Sequence, residues 1–199
     1  MKHTAKVTLI LLSIFLLSQV FGLLALNMDL KVIKNAETGK VEGITYSEPV
    51  IGARPEMGNA QAFWYILLAV FIGTMILLVL IRFRQVKIWK AWFFLAVWMT
   101  ISVTLGIFIP KVSAFIIAFI IAAFKIFKPN FVLQNISEIF MYTGIALLFV
   151  PLLNVFWIIM LILAIAVYDA YAVWHSKHMI KMAKFQTESK IFAGLSVPY

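Results

Sequence analysis

Cysteine is absent from the 199 residues. No disulfide framework, thiolate metal site or cysteine nucleophile can therefore be built from this chain. Acids are scarce: eight Asp and Glu stand against seventeen Lys and Arg, for a formal net charge of +9. Charged residues make up only 13% of the chain, roughly half the 25% usual in soluble domains. There is no glycine-rich phosphate loop and no Ser–His nucleophile pair. What fills the space is apolar. The chain is 64% hydrophobic, with mean hydropathy +1.02, where soluble domains sit at roughly 45–50% apolar. The composition is that of a multi-pass membrane protein, and one membrane domain over residues 1–199 is the natural count.

Six apolar runs follow one another at residues 7–26, 62–81, 91–109, 112–124, 131–150 and 152–173. The first is preceded by Lys2, His3 and Lys6. At twenty residues it is long for a signal-peptide core and right for a helix spanning about 30 Å of hydrocarbon. No small-x-small cleavage site follows it, so an uncleaved first helix with its amino end inside is expected. Residues 27–61 form the one substantial polar segment. Two strand-like runs, at residues 30–34 and 41–46, flank Glu37-Thr38-Gly39-Lys40 and read as a β-hairpin. Pro49, Gly52, Pro55 and Gly58 then break regular structure, and the segment as a whole reads as a solvated loop.

Phe63-Trp64-Tyr65 and the tryptophans Trp89, Trp92 and Trp98 read as interface anchors or lipid-facing residues. Ala114, Ala118 and Ala122 recur every four residues on one helix face, which is ordinary close packing of helices. The fifth run is the least apolar, carrying Gln134, Asn135, Ser137, Glu138, Tyr142 and Thr143, with Glu138 placed near the inner interface. Pro151 stands where a helix start tolerates it. Residues 174–199 read as a cytoplasmic tail, with Met179, Met182, Ala183 and Phe185 on an apolar face and lysines opposite.

Charge sets the orientation. With six spans and the amino end inside, Lys2, Lys6, Arg82, Arg84, Lys87, Lys90, Lys125, Lys128, Lys177, Lys181, Lys184 and Lys190 share one side, twelve of the seventeen cations. Lys31, Lys34, Lys40, Arg54 and Lys111 remain outside, with Asp29, Glu37, Glu42, Glu48 and Glu56. This asymmetry fits the positive-inside rule and accounts for the basic balance without a nucleic-acid partner. A cell-membrane, multi-pass protein with both ends in the cytoplasm is expected.

Asp169 stands out. It closes a run that begins at Leu152 and has one clearly polar member, Asn154. A charge within a span costs roughly 2.5–3.5 kcal/mol on insertion scales, so such a residue is a functional candidate. Its helical neighbours Ile165, Ala166, Ala172 and Val173 offer no ion partner. Two aspartates that share one proton make a general acid–base pair able to activate water for peptide hydrolysis. The plain alternative is a packing Asp bonded to a neighbouring helix, or an acid wet at the interface. His175 and His178, three apart among lysines, read as a basic collar, because zinc wants three or four ligands.

At Tyr168-Asp169 the chain resembles the presenilin and signal-peptide-peptidase family of intramembrane aspartyl proteases. Tyr-Asp alone is a weak motif. The run from Tyr168 through His175-Ser176-Lys177-His178 to Ala183, and the closing stretch from Ile191 to Tyr199, look most like the family's archaeal branch. The resemblance covers all six spans in order. It implies an all-α, nine-helix membrane fold of which this chain holds helices one to six. It implies Asp169 as one of two catalytic aspartates, Tyr168 beside the site, substrates that are transmembrane helices, and neither cofactor nor metal. The family's second aspartate belongs to a Gly-x-Gly-Asp motif on a seventh helix, and a Pro-Ala-Leu motif lies on the ninth. Gly-x-Gly-Asp does not occur in the sequence. The chain therefore reads as the amino-terminal part of such an enzyme, with a carboxy-terminal fragment as its partner. The alternative is a catalytically inert truncated relative or a six-helix scaffold or assembly subunit.

Overall fold

Each of the six apolar runs contributes a helix to the computed structural model, which describes residues 5–35, 40–189 and 191–197. The order is α1 (Ala5–Asp29), β1 (Leu30–Lys34), β2 (Val41–Tyr46), α2 (Asn59–Arg82), α3 (Val86–Leu105), α4 (Lys111–Phe127), α5 (Phe131–Phe149), a 3-10 turn (Val150–Leu152), α6 (Val155–Trp174) and α7 (His178–Glu188). The chain is an all-α polytopic membrane protein with one small hairpin. Helices α1, α2, α3, α5 and α6 are long and apolar enough to cross a membrane. Helix α4 has 17 residues, or about 25 Å at 1.5 Å per residue, a little under the hydrocarbon thickness. The predicted turn Glu37-Thr38-Gly39, the charges Lys2 and Lys190, His3, and the closing Pro198-Tyr199 lie outside the described residues.

Several boundaries have local causes. Asn130 caps α5 by accepting from the Val132 amide at 3.0 Å. Asn154 caps α6 by accepting from the Trp157 amide at 3.1 Å. Asparagine at this position satisfies one of the amides that a first helical turn leaves open. Pro151 thus does not start α6. It sits in the 3-10 turn between α5 and α6, and the helix begins after the Asn154 cap.

Packing divides the chain into two units. The first comprises Met1–Arg54, Ala96–Pro151 and Gly194–Tyr199. Within it α1 packs on α5, where Phe21 meets Phe108 and Phe140 at ring centroid distances of 5.8 and 5.2 Å. The second half of α3 lies close to α5. Thr104 donates to the Phe140 carbonyl at 2.7 Å. A Cβ on Gly144 would sit 2.1 Å from the Thr100 carbonyl oxygen. Backbone cannot yield there as a side-chain tip could, so Gly144→Ala is expected to cost at least about 1–3 kcal/mol by overpacking, read as a fall in unfolding temperature in detergent. An unchanged temperature would mean that the two helices part at little cost.

The alanine stripe of α4 packs as expected: Ala114, Ala118 and Ala122 are fully buried, and the same face continues to Lys125. Two of the three tryptophans make contacts within the protein. Trp89 is buried, and Trp98 donates its indole N–H to the Phe115 carbonyl at 2.9 Å. Trp92 remains exposed.

The base of the polar segment is more ordered than a solvated loop. Leu30 pairs with Tyr46 and Ile33 with Gly43 in the antiparallel ladder. Asp29, counted as a loop charge in the sequence, is buried and takes the Arg54 guanidinium at 2.9 Å and the Ser47 amide at 3.2 Å. Arg54 also donates to the Ser47 carbonyl at 2.7 Å and the Leu147 carbonyl at 3.4 Å. One ion pair thereby ties the end of α1, the exit of β2 and the end of α5.

The second unit comprises Pro55–Leu95 and Leu152–Ala193. Its core is Ala62, Phe63 and Ile66 of α2 with Leu153 and with Leu161 of α6; Trp157, Ala164 and Ile165 pack against it. Phe63, expected at an interface, is part of this core, while Trp64 and Tyr65 beside it are exposed. The side-chain oxygen of Asn59, the first residue of α2, accepts from the Asn154 amide at the cap of α6, at 2.6 Å. The amino ends of α2 and α6 are thereby fastened together.

Candidate functional site

Helix α6 exposes most of its large apolar side chains, among them Ile159, Ile162, Leu163, Val167 and Tyr171. Its inner stripe runs Leu161, Ile165, Tyr168 and Ala172, near the repeat of a 3.6-residue helix. Leu161 and Ala172 are buried and Ile165 packs on the α2–α6 core. Asp169 lies one turn after Ile165, at the border between the packed stripe and the exposed apolar face, and is itself half-buried. Its carboxylate makes no hydrogen bond and no ion pair among the described residues, where the ion pairs are Arg54–Asp29 and Lys125–Glu138.

Its neighbour Tyr168 is tied down. The Tyr168 hydroxyl lies 3.2 Å from His178 Nε2, and the two rings stand 5.9 Å apart. This contact needs the chain to turn back after α6. Lys177 adopts a left-handed backbone, φ 53°, and lets His178 open α7 facing the end of α6. Ser176 Oγ lies 2.5 Å from His178 Nδ1 and donates to the Ala172 carbonyl at 3.4 Å. Both ring nitrogens of His178 are thus engaged, and the His175 ring rests on Tyr171 at 5.1 Å. Tyr168→Phe keeps the ring and removes the hydroxyl, with an expected cost of about 0.5–1.5 kcal/mol. The measurement is trypsin cleavage after the exposed Lys177, which should speed up; an unchanged rate would mean that the contact does not hold the turn.

The other acid in a span, Glu138, is in the opposite situation. The sequence places it near the inner interface; in the structure it is enclosed by protein, at 1% exposure. Lys125, counted as a loop cation, reaches it at 2.6 Å and donates to Ser137 Oγ at 2.9 Å. Gln134 Nε2 donates to Glu138 at 3.1 Å and to the Gly194 carbonyl at 3.0 Å. Asn135 both donates to the Ser196 carbonyl, at 2.8 Å, and accepts from the Ser196 amide, at 2.9 Å. The polar residues of α5 are therefore occupied with a buried ion pair and with the closing segment of the chain. Sequence reasoning missed this cluster. The only signal was the density of polar residues in the fifth run.

The sequence profile of the family described as signal-peptide peptidase, presenilin aspartyl protease matches residues 12–199. The chain belongs to that family. No curated protein and no solved structure matches the chain. The family is one of membrane-embedded aspartyl proteases that act on helices of membrane proteins in the bilayer. Among the described residues no group of three or more His, Asp and Glu is gathered for a metal.

Proposed function

We propose that Asp169 is one of two catalytic aspartates of an intramembrane endopeptidase, and that the second comes from a polypeptide segment other than these 199 residues. The observation that carries this reading is a contrast between two acids of membrane spans. Glu138 is enclosed and paired, whereas Asp169 is half-buried, unpartnered among the described residues and bordered by an exposed apolar helix face. An intramembrane charge without a partner calls for one, and in an aspartyl protease that partner is a second acid.

With one acid neutral and one ionised, the ionised member takes a proton from water as the water oxygen attacks the scissile carbonyl. The neutral member gives its proton to the carbonyl oxygen. The gem-diol then breaks its C–N bond as the now-neutral acid gives its proton to the amide nitrogen and the now-ionised acid takes a proton from a gem-diol hydroxyl, which leaves a carboxylic acid and an amine. The pair ends as it began, sharing one proton. A helical substrate must unwind locally first, since its own hydrogen bonds occupy the carbonyl. Tyr168, through His178, holds the end of α6 that carries Asp169 and so acts as a positioning residue beside the site.

Six crossings with the amino end inside complete the reading. The fastening of Asn59 to the Asn154 amide supports them, because it puts the starts of α2 and α6 at one end. A chain that leaves the far end of α2 must then cross an odd number of times before α6. With α3 and α5 as crossings, for which both are long enough, the odd count makes α4 a crossing in this reading. A reporter fused after Tyr199 and one inserted between Arg84 and Lys87 are expected on the same, inner side; opposite sides would remove a crossing.

The activity test joins the full chain, in membranes, to a fragment carrying a Gly-x-Gly-Asp helix and follows cleavage of a labelled transmembrane substrate. Cleavage is expected only with both parts. Cleavage that persists in Asp169→Ala would sink the assignment.

A further inference from the structure

The second unit holds a cavity of about 630 Å³ where the end of α2, the start of α3 and α7 meet. Arg84, Lys90, Lys181 and Lys184 line it with one acid, Glu188, a surplus of three positive charges. Ile81, Val86 and Phe185 supply its apolar wall. None of the four cations makes an ion pair or a side-chain hydrogen bond among the described residues. Arg84, Lys181 and Lys184 are exposed and Lys90 is half-buried, so their charges are open to a ligand from outside, while the elements that carry them are joined by packing. Phe185 is buried and its ring stands 6.4 Å from that of Trp89, which fixes α7 against the start of α3. Lys181 and Lys184, three residues apart, flank Phe185 on that same side of α7. Arg84 has a left-handed backbone, φ 50°, in the turn between α2 and α3.

We propose that this cavity binds the phosphate of an anionic phospholipid headgroup. A multidentate anion would offset the surplus of three positive charges on the lining, and phosphate matches both the guanidinium fork of Arg84 and the point charges of the lysines. A lipid, rather than a soluble anion, is argued from the position of the cavity. It begins at Ile81, where the apolar run of α2 gives way to Arg82 and Arg84. Headgroups meet a spanning helix at that depth, and basic pockets there are the usual form of headgroup recognition. The acyl chains would continue along the exposed apolar residues of α2, among them Val79, Ile76 and Ile72. The site shares no residue with Asp169 or Tyr168, so it stands independently of the catalytic reading.

Native mass spectrometry of the full chain in detergent, titrated with phosphatidylglycerol, tests the site. Lys181→Gln/Lys184→Gln is expected to weaken the first-bound lipid about thirtyfold, from two surface cations. Lys181→Arg/Lys184→Arg should bind within a few-fold of the parent, which separates lost charge from lost folding. Lys31→Gln/Lys34→Gln removes the same charge from β1 and should change nothing. Equal weakening in both Gln variants, or none in the α7 variant, would overturn the proposal. So would equal binding of phosphatidylcholine, or displacement of the lipid by an equal concentration of inorganic phosphate, which would make the site one for soluble anions.

Discussion

Asp169→Asn is expected to leave the fold intact and to lower proteolysis, in the two-part assay, by at least about 10²–10⁴-fold, the share that positioned proton transfer commonly supplies. Asparagine keeps the size of the side chain and its capacity to accept a hydrogen bond, but cannot take a proton from water. The fold should survive because the Asp169 carboxylate has no hydrogen bond or ion pair to lose among the described residues. Removing a charge from a span also relieves part of an insertion cost of roughly 2.5–3.5 kcal/mol. The unfolding temperature of the chain alone should therefore hold or rise while activity disappears. A structural aspartate would do the reverse, with α6 loosening and cleavage falling only in proportion to the folded fraction. Measuring both on one preparation separates the two roles.

Lys125→Met is the largest expected loss of stability, about 3–5 kcal/mol, since it leaves Glu138 charged, enclosed and without its counter-ion. Glu138 is 1% and Lys125 4% exposed, so solvent cannot substitute for either. The damage should spread. Gln134 shares Glu138 with Lys125 and also holds the Gly194 carbonyl, so the closing segment at Gly194 and Ser196 should become protease-sensitive. The double variant Lys125→Met/Glu138→Leu replaces the pair with apolar groups of similar volume and is expected to recover most of the loss, because desolvating two charges nearly cancels their attraction. Unfolding in a denaturing-detergent titration reads both. A double variant as unstable as the single one would show that the hydrogen bonds of the pair to Ser137 and Gln134, and not its charge balance, hold α4 to α5.

The two acids show how far residue types alone can be read. Membrane class, the helical spans and the strands of the hairpin are legible because they follow from local pattern: apolar length, charge between runs, and turn residues. The Tyr168-Asp169 pair with its downstream run also points to the family without any coordinates. Local pattern could not separate Asp169 from Glu138, since each is a single acid in an apolar run. Their difference lies in what crosses to meet them. Lys125 is thirteen residues from Glu138 and lies on the other side of the Lys128-Pro129-Asn130 break, so the pairing exists only after α4 packs on α5. The same holds for Asp29 with Arg54, which the sequence counts as two loop charges.

The basic turn after α2 and the lysines of α7 have the same history. In the sequence they are an orientation signal and an amphipathic tail, far apart along the chain. They become one cavity because the left-handed turn at Lys177 sends α7 back, where it packs against α2 and, through Phe185, Trp89. By itself, then, the sequence determined that this chain is a helical membrane protein of the aspartyl protease family, and it offered Asp169 as a candidate through the family resemblance. Only the tertiary structure decided which charges are satisfied and which are left over, because an apolar run reports the medium it prefers, while a charge is answered by whichever side chain packing brings within about 3 Å.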